Sequence, residues 1–373
     1  MNGLMIAFAF TLPYHVMRTA AAAGVKVHVL GNAFSDALRT SRHCASYRLL
    51  DGPGTPENSA HILAEIDEQV RRHKIDVIFP SDDVSTRLLI GLRDRLPART
   101  SLLPDLETFD LLNNKWNFTR YCRANEIRVP QGWCFDTSAG LQAALRSGEV
   151  TLPITVKPTN RSGSVGVFHI RDDSELALLD RIDYRPIVVQ RHIFGESVCL
   201  STICRDGRIV AHAGQRRDER RFQLFSHPDL LANVERLAAV TGLNGPANFD
   251  AVIDAATDLA YIVECNPRFW YTIYLSMLFG LNFMGPVLAG PDAPMADDAD
   301  TMVTDTLELS VKQTIRHYRH AKPSDRALAR YHLLDPIPYL LSRTGWVDDS
   351  DVAVDVNEMT AFSWREPAVA QLA

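Results

Sequence analysis

Asn248-Phe249-Asp250-Ala251-Val252-Ile253-Asp254, followed by Tyr261-Ile262-Val263-Glu264-Cys265-Asn266-Pro267-Arg268, is the stretch on which the reading of this chain turns. Two runs rich in β-branched and aromatic residues flank Ala255, Ala256, Thr257 and Asp258, the pattern of a β-hairpin. Side chains alternate faces along a strand, so Glu264 and Asn266 share one face and Cys265 takes the other. Asp250 can lie opposite Glu264 across the hairpin. Two carboxylates and an amide oxygen on one face are hard donors of the kind Mg²⁺ accepts while keeping waters and substrate phosphates in its other positions. Arg268 follows on the same side, suited to a bidentate contact with phosphate or carboxylate. By themselves these residues also describe the wet face of a surface hairpin. The rest of the chain decides between the two.

At 373 residues the chain is too long for one ordinary core and predicts two or three domains. A hydrophobic fraction of 46% and a charged fraction of 23% are those of a soluble globular protein. The net charge of −6 and the lack of a dense basic tract argue against nucleic-acid binding. Cys44, Cys122, Cys134, Cys199, Cys204 and Cys265 form no CxxC pair and no metal spacing, so they read as reduced thiols of a cytoplasmic protein. The apolar run Leu4–Phe10 lacks a basic leader and soon meets Pro13, which predicts a buried strand and not a signal peptide. No stretch approaches membrane-spanning length.

From the N-terminus, strands at Leu4–Phe10, Val25–Leu30 and Asp76–Pro80 alternate with helices at about His15–Ala23, Ala60–His73 and Asp83–Asp94. Gly24 is placed as a C′ glycine. This alternation predicts a doubly wound parallel sheet. The first strand–helix turn, Thr11-Leu12-Pro13-Tyr14, has no glycine, and without GxGxxG nicotinamide binding is not expected. Thr11, Ser81, Asp82 and Asp83 lie at the carboxyl ends of strands, where ligands bind such sheets. For Ser81 and Asp82 helix capping is the stronger reading.

The middle of the chain carries cationic and small residues in order. Lys115 stands near a helix start, where the dipole disfavours it unless it meets an anion. A strand Leu152–Pro158 ends in Lys157 and opens into Thr159–Val167, a Ser/Gly loop whose backbone N–H groups can turn toward one anion. A further strand, Pro186–Ile193, exposes backbone at Arg191 and Ile193 that can read an adenine edge, and Glu196 can accept from ribose hydroxyls. Asp206-Gly207 joins two antiparallel strands. Arg216, Arg217, Arg220 and Arg221 lie between that hairpin and a helix at Pro228–Thr241, and suit an acidic substrate or acyl phosphate as well as a solvated loop. Phe269, Trp270, Tyr271 and Tyr274 either line a pocket or join the core. His192 and His212 read as structural. Pro291–Asp300 reads as a linker, Thr301–Ala321 as one helix, and Leu333–Leu341 as an apolar segment with two prolines.

Lys115, Lys157 before a Ser/Gly loop, the strand ending Gln190–Ile193, Glu196, Asp250 and Glu264-Cys265-Asn266-Pro267-Arg268 form an ordered set. It resembles the ATP-grasp superfamily of ATP-dependent carboxylate–amine ligases over roughly residues 1–290. The resemblance implies an N-terminal α/β pre-ATP-grasp domain (1–112) and a two-lobed ATP-grasp domain (113–290), with a lid lobe at about 126–194 and a larger lobe at about 195–290. A C-terminal extension (291–373) follows. It implies ATP contacts from Lys115 and Lys157, from the loop of Ser162, Gly163, Ser164 and Gly166, from Gln190 and the backbone of Arg191 and Ile193, and from Glu196. Asp250, Glu264 and Asn266 would hold Mg²⁺, two ions with Glu264 bridging, or Mn²⁺ in its place. Lys157 and Arg268 would serve catalysis, with Arg216, Arg217, Arg220, Arg268 and Trp270 on the substrate side. The implied reaction activates a carboxylate as an acyl phosphate and joins it to an amine, releasing ADP and phosphate. Implied partners are small-molecule acids and amines, with no nucleic acid or membrane, in a homodimer. Carbamoyl-phosphate-type or carboxylase-type phosphotransfer and a non-catalytic ATP-binding module are the alternatives. Three departures stand out: Gln190 and Arg191 where an acid is common, only two glycines in the loop, and Phe269-Trp270-Tyr271 where small residues usually follow the arginine.

Overall fold

A computed structural model describes residues 1–52, 54–55, 58–161, 163–218, 220–289 and 306–343. The first unit holds β1 (Asn2–Ala7), α1 (Thr11–Ala22), β2 (Lys26–Gly31), β3 (Cys44–Leu49), α2 (Ser59–His73), β4 (Val77–Pro80) and α3 (Asp83–Leu92). Its sheet runs β3-β2-β1-β4, with every pairing parallel. Continuous apolar strands such as Leu4–Ala7 and Val77–Phe79 are buried on both faces, as such sheets require. Helix α1 starts at Thr11, four residues before the expected position. Pro13 lies in its first turn, where a missing N–H breaks no helical bond. The strand β3 was not anticipated.

Helices α4 (Leu106–Asn113) and α5 (Lys115–Ala124) lead into a smaller sheet made from β5 (Gly132–Phe135), β6 (Ile154–Pro158), β7 (Phe168–Ile170) and β8 (Ile187–Arg191). The helix α6 (Ser138–Ser147) packs on it. Its order is β5-β8-β6-β7, all antiparallel.

The larger sheet is built from β9 (Gly195–Arg205), β10 (Arg208–Arg217), β11 (Arg221–Phe225), β12 (Gly245–Asp254) and β13 (Ala260–Asn266), with α7 (Pro228–Thr241) between β11 and β12. Short helices α8 (Ile273–Leu278) and α9 (Met284–Leu288) follow. Beyond them lie β14 (Thr306–Glu308), α10 (Val311–Arg316), α11 (Pro323–Leu333) and α12 (Pro336–Arg343). The sheet order is β13-β12-β9-β10-β11-β14, antiparallel throughout.

The ends of α7 follow from its sequence. His227 accepts from Leu230 N, Pro228 occupies the first position, and Gly242 closes the helix in the left-handed region. Two expectations are corrected here. The run Gln215–Arg221 is not a connecting loop, because Arg216 and Arg217 end β10 and Arg221 opens β11. The described part of Thr301–Ala321 is not one helix, because Thr306–Glu308 pairs with β11 and a helix begins only at Val311. The expected linker Pro291–Asp300 lies outside the described residues. No helix among the described residues is long and apolar enough to cross a membrane.

One core cluster joins the parallel sheet to the larger sheet and the C-terminal helices, through Met5, Phe79, Phe222, Phe269, Trp270 and Tyr331 among others. A second packs α5 and α7 under the other face of the larger sheet through Phe118, Leu237 and Phe249. Gly195 marks a tight approach of β9 to β12 within the larger sheet, since a Cβ there would lie 1.8 Å from Ile253 O. Gly195→Ala is therefore expected to cost about 2–3 kcal/mol through backbone displacement. The shift in the urea midpoint checks this, and an unchanged midpoint would show that β9 can move aside.

Candidate functional site

Register sets the site. Asp250 pairs directly with Glu264 and Asn248 with Asn266, so both carboxylates lie on one face of the larger sheet, as alternation predicts. The ladder shifts between Asp250 and Ala251, leaving Val263 as an extra residue on β13. Such a bulge re-aims neighbouring groups. The Val263 carbonyl accepts from Lys157 Nζ at 2.8 Å.

Two lysines converge on the carboxylates from outside the sheet. Asn114 caps α5 by accepting from Trp116 N and Asn117 N, which makes Lys115 the first helical residue. Lys115 Nζ donates to Arg161 O at 2.7 Å and lies 3.4 Å from Glu264 Oε2. Lys157, at the end of β6, is 4% exposed. Burial pushes its ammonium down to about 8, with Glu264 resisting that shift. Burial also opposes ionisation of Glu264, yet Lys115 and Lys157 beside it hold it below the usual carboxylate range. Asp250 stands well above that range, through burial first and the adjacent Glu264 charge second. The buried pair thus retains a proton that a divalent cation would displace.

Asp250 is held from three sides. Its Oδ1 accepts from Asn248 Nδ2 at 2.9 Å and from Cys199 Sγ at 3.1 Å, and its Oδ2 from Asn266 Nδ2 at 3.3 Å. Behind it Ser201 Oγ donates to Asn248 Oδ1, Gln215 Nε2 donates to Ser201 Oγ, and Thr272 Oγ1 donates to Gln215 Oε1. Asn248 lies two residues before Asp250, so alternation could have exposed its role. Gln215 and Thr272 carried no comparable signal.

Arg268 is buried just beyond β13. Its Nη1 donates to Phe269 O at 2.7 Å and its Nη2 to Asn266 Oδ1 at 3.3 Å, while Nε lies 2.9 Å from Asp83 Oδ1. Asp82 is the cap of α3, accepting from Ser85 N and Phe8 N, and Ser81 Oγ donates to Ile6 O.

Other expected residues are placed differently. The Gln190 side chain shares the β8 face that meets Lys157 and is buried, donating to Thr119 Oγ1 at 3.1 Å. The Arg191 N–H is already bonded to Gln131 O at 2.8 Å, so it is not an available adenine donor. Ile193 lies two residues beyond, where the strand has ended. Glu196 is 3.3 Å from Arg216, whose guanidinium sits 4.3 Å above the Phe225 ring. By register both side with Val198, on the face away from Asp250, so the structure does not bring them to the carboxylate pair. Arg217 and Arg220 are exposed. Trp270 is corrected from substrate contact to core: it is 3% exposed and meets Phe283 edge-on at 5.0 Å. In the loop after Lys157, Gly163, Ser164 and Gly166 all adopt positive φ, and Tyr184 Oη donates to Gly166 O at 2.6 Å. Ser162 lies outside the described residues.

Two antiparallel sheets face each other across buried lysines and carboxylates, beside a parallel-sheet unit, which defines a two-lobed α+β class. Residues 112–272 match the family model described as ATP-grasp domain, and the chain carries that domain. Comparison with curated proteins found no match. Among solved structures the chain is similar to L-amino acid ligase from Bacillus licheniformis (TM-score 0.57, 18% identity, 77% of this chain and 73% of that one). It is also similar to N5-carboxyaminoimidazole synthase from Aspergillus clavatus with ADP and its ribonucleotide (0.59, 14%, 80% and 79%). A third is the biotin carboxylase domain dimer of Hydrogenobacter thermophilus 2-oxoglutarate carboxylase with MgADP and bicarbonate (0.60, 13%, 81% and 72%). At these identities the likeness establishes the fold.

The paired carboxyl groups of Asp250 and Glu264, which share a proton without metal, fit a hard divalent cation, and Asn266 beside them would add an amide oxygen once turned from Arg268. Because the pair retains a proton, cation affinity is expected to weaken as pH falls and to be lost in Asp250→Asn. Titration with Mn²⁺ followed by electron paramagnetic resonance measures it, and a pH-independent affinity would remove the carboxylate pair from the metal site.

Proposed function

We propose that this protein is an ATP-dependent ligase that activates a carboxylate as an acyl phosphate and joins it to an amine, releasing ADP and phosphate. The observation that carries the reading is the convergence of Lys115, Lys157 and the Asp250–Glu264 pair between two facing sheets, within the segment that matches the ATP-grasp domain. Phosphoryl transfer asks a protein chiefly for positioning and charge neutralisation. Lys157 and Lys115 supply two ammonium groups where the polyphosphate would lie. Gly163, Ser164 and Gly166 shape a left-handed turn whose backbone can approach phosphate oxygens. Asp250, Glu264 and Asn266 would hold Mg²⁺, two ions in this reading with Mn²⁺ as a substitute, and bound metal would neutralise phosphate charge. Gln190 supports the base from beneath, with adenine read by backbone near Ile193. Arg268 meets the reacting acid or its phosphate. On this reading residues of about 126–194 close over the nucleotide, the substrates are small-molecule acids and amines, and the assembly is a homodimer.

Glu264→Gln is expected to fold and to lose about 100-fold or more in Mg²⁺-dependent turnover. Lys157 sets a pH signature. With its free-protein pKa near 8 and a phosphate partner raising it, Mg·ATP affinity should be flat below pH 8 and fall by up to about tenfold per unit above it. Lys157→Met should be weak and pH-independent. Calorimetric titration across this range checks both, and a flat wild-type profile would take Lys157 out of the phosphate site. The reaction itself is tested by ADP and AMP release across a panel of acids and amines. ADP only with an acid and an amine together supports the ligase, ADP with bicarbonate alone reassigns the chemistry to carboxylation, and AMP rules out the acyl-phosphate route.

A further inference from the structure

Asp82 and Asp83 are adjacent at the carboxyl end of β4, yet they have separate roles. Asp82 is consumed inside its own unit, with Oδ1 accepting from Ser85 N at 2.7 Å and Oδ2 from Phe8 N at 2.6 Å. Asp83, the first residue of α3, turns outward and lies 2.9 Å from Nε of Arg268, two residues beyond β13 of the larger sheet. The Asp83 side chain keeps 30% of its exposure, whereas that of Arg268 keeps 5%.

Arg268 has one countercharge in contact among the described residues. Phe269 O and Asn266 Oδ1 are neutral acceptors from the same stretch of chain. A guanidinium this buried is costly unless it is paired. The Nε–H is not aligned on the Asp83 oxygen, so the contact acts through charge more than through hydrogen-bond direction. After Asp83, the groups that favour the charged form of Arg268 are Tyr271 and then Asp250, the latter on the cation side of the cleft. A guanidinium drawn there would compete for the carboxylates meant for a cation. With Asp83 in place, two N–H donors are committed to Phe269 and Asn266, and further Nη hydrogens can meet a planar anion.

We infer that Asp83 is a positioning residue for Arg268: it holds the guanidinium on the substrate side of the cleft, away from the Asp250–Glu264 pair. The N-terminal sheet is thereby part of the reaction cleft and not only its support. This rests on the ligase reading insofar as Arg268 meets the reacting acid.

The test uses the full chain as Asp83→Asn, Asp83→Glu and Arg268→Lys, each checked for folding by circular dichroism and melting. Two readouts are taken. The first is the Arg268 Nε–Hε resonance in ¹⁵N-labelled protein, assigned by its loss in Arg268→Lys. The second is ADP release with the acid and amine found by the panel. Asp83→Asn is expected to shift that resonance and speed its solvent exchange. It should lower kcat by about 10–100-fold while KM for ATP stays within about twofold, the pattern of a misplaced group. Asp83→Glu should recover part of both. A folded Asp83→Asn with an unmoved resonance and kcat within about threefold of wild type overturns the inference while leaving the ligase reading intact. If the wild type shows no acid-dependent ADP release, the ligase reading fails, and the resonance alone decides whether Asp83 holds Arg268.

Discussion

Two carboxylates placed side by side on adjacent strands and largely removed from water are the constraint around which this molecule is arranged. Asp250 and Glu264 face each other by register, and neither the sheet nor its turn can separate them. Their mutual repulsion is relieved by cations that arrive from other elements. Lys115 comes from the start of α5 and Lys157 from the end of β6. Both lysines are buried, and a buried charge is costly without an opposite charge beside it. The cluster therefore ties the smaller sheet to the larger one by charge. The bulge at Val263 adds a carbonyl that Lys157 can reach.

A neutral network stands behind this charged one. Asn248, Ser201, Gln215 and Thr272 form a chain of hydrogen bonds from Asp250 across β12, β9 and β10 to the turn before α8. In a dry interior a connected chain fixes rotamers, and a broken one leaves costly orphans. The same chain orients the segment after Arg268, because Thr272 is its last member. The segment after Arg268 is thus coupled to the carboxylate site by a chain of side-chain hydrogen bonds.

The hairpin was legible because its side chains alternate on either side of the Val263 bulge and its turn residues are small or polar. The α7 boundaries were legible because Pro228 and Gly242 have fixed meanings at helix ends. Other parts were hidden for physical reasons. The strand β3 is half-exposed and carries Ser46, Tyr47 and Arg48, so it lacks the apolar run of its neighbours. Arg221 at the start of β11 belongs to a charge run that reads as loop, although Phe222 and Leu224 are buried. Proline in a first turn looks like a breaker until the helix start is known. The aromatic cluster at Phe269–Tyr271 was open to two readings, and only packing against Phe283 settled Trp270 as core. Arg216 and Glu196 attract each other on the far face, which residue type does not reveal. Asp83 and Arg268 are far apart in sequence, and no periodicity links them.

The distribution of these features divides the labour of the cleft. The residues proposed for the polyphosphate and its metal come from α5, β6, β12 and β13, all inside the segment that matches the ATP-grasp domain. The positions directly after Arg268 are different. Phe269 and Trp270 are locked into a core shared with Met5 and Phe79 of the parallel sheet and Tyr331 of α11. Side chains committed to packing across three parts of the chain cannot also adapt to a ligand. On the proposed reading, recognition of the acid and amine falls to groups that keep exposure. Tyr271 and Arg217 keep such exposure, and they come from different elements. On the proposed reading, a centre built from regularly spaced strand residues and a rim assembled from distant elements explain why the nucleotide half can be read from the sequence while the substrate half cannot.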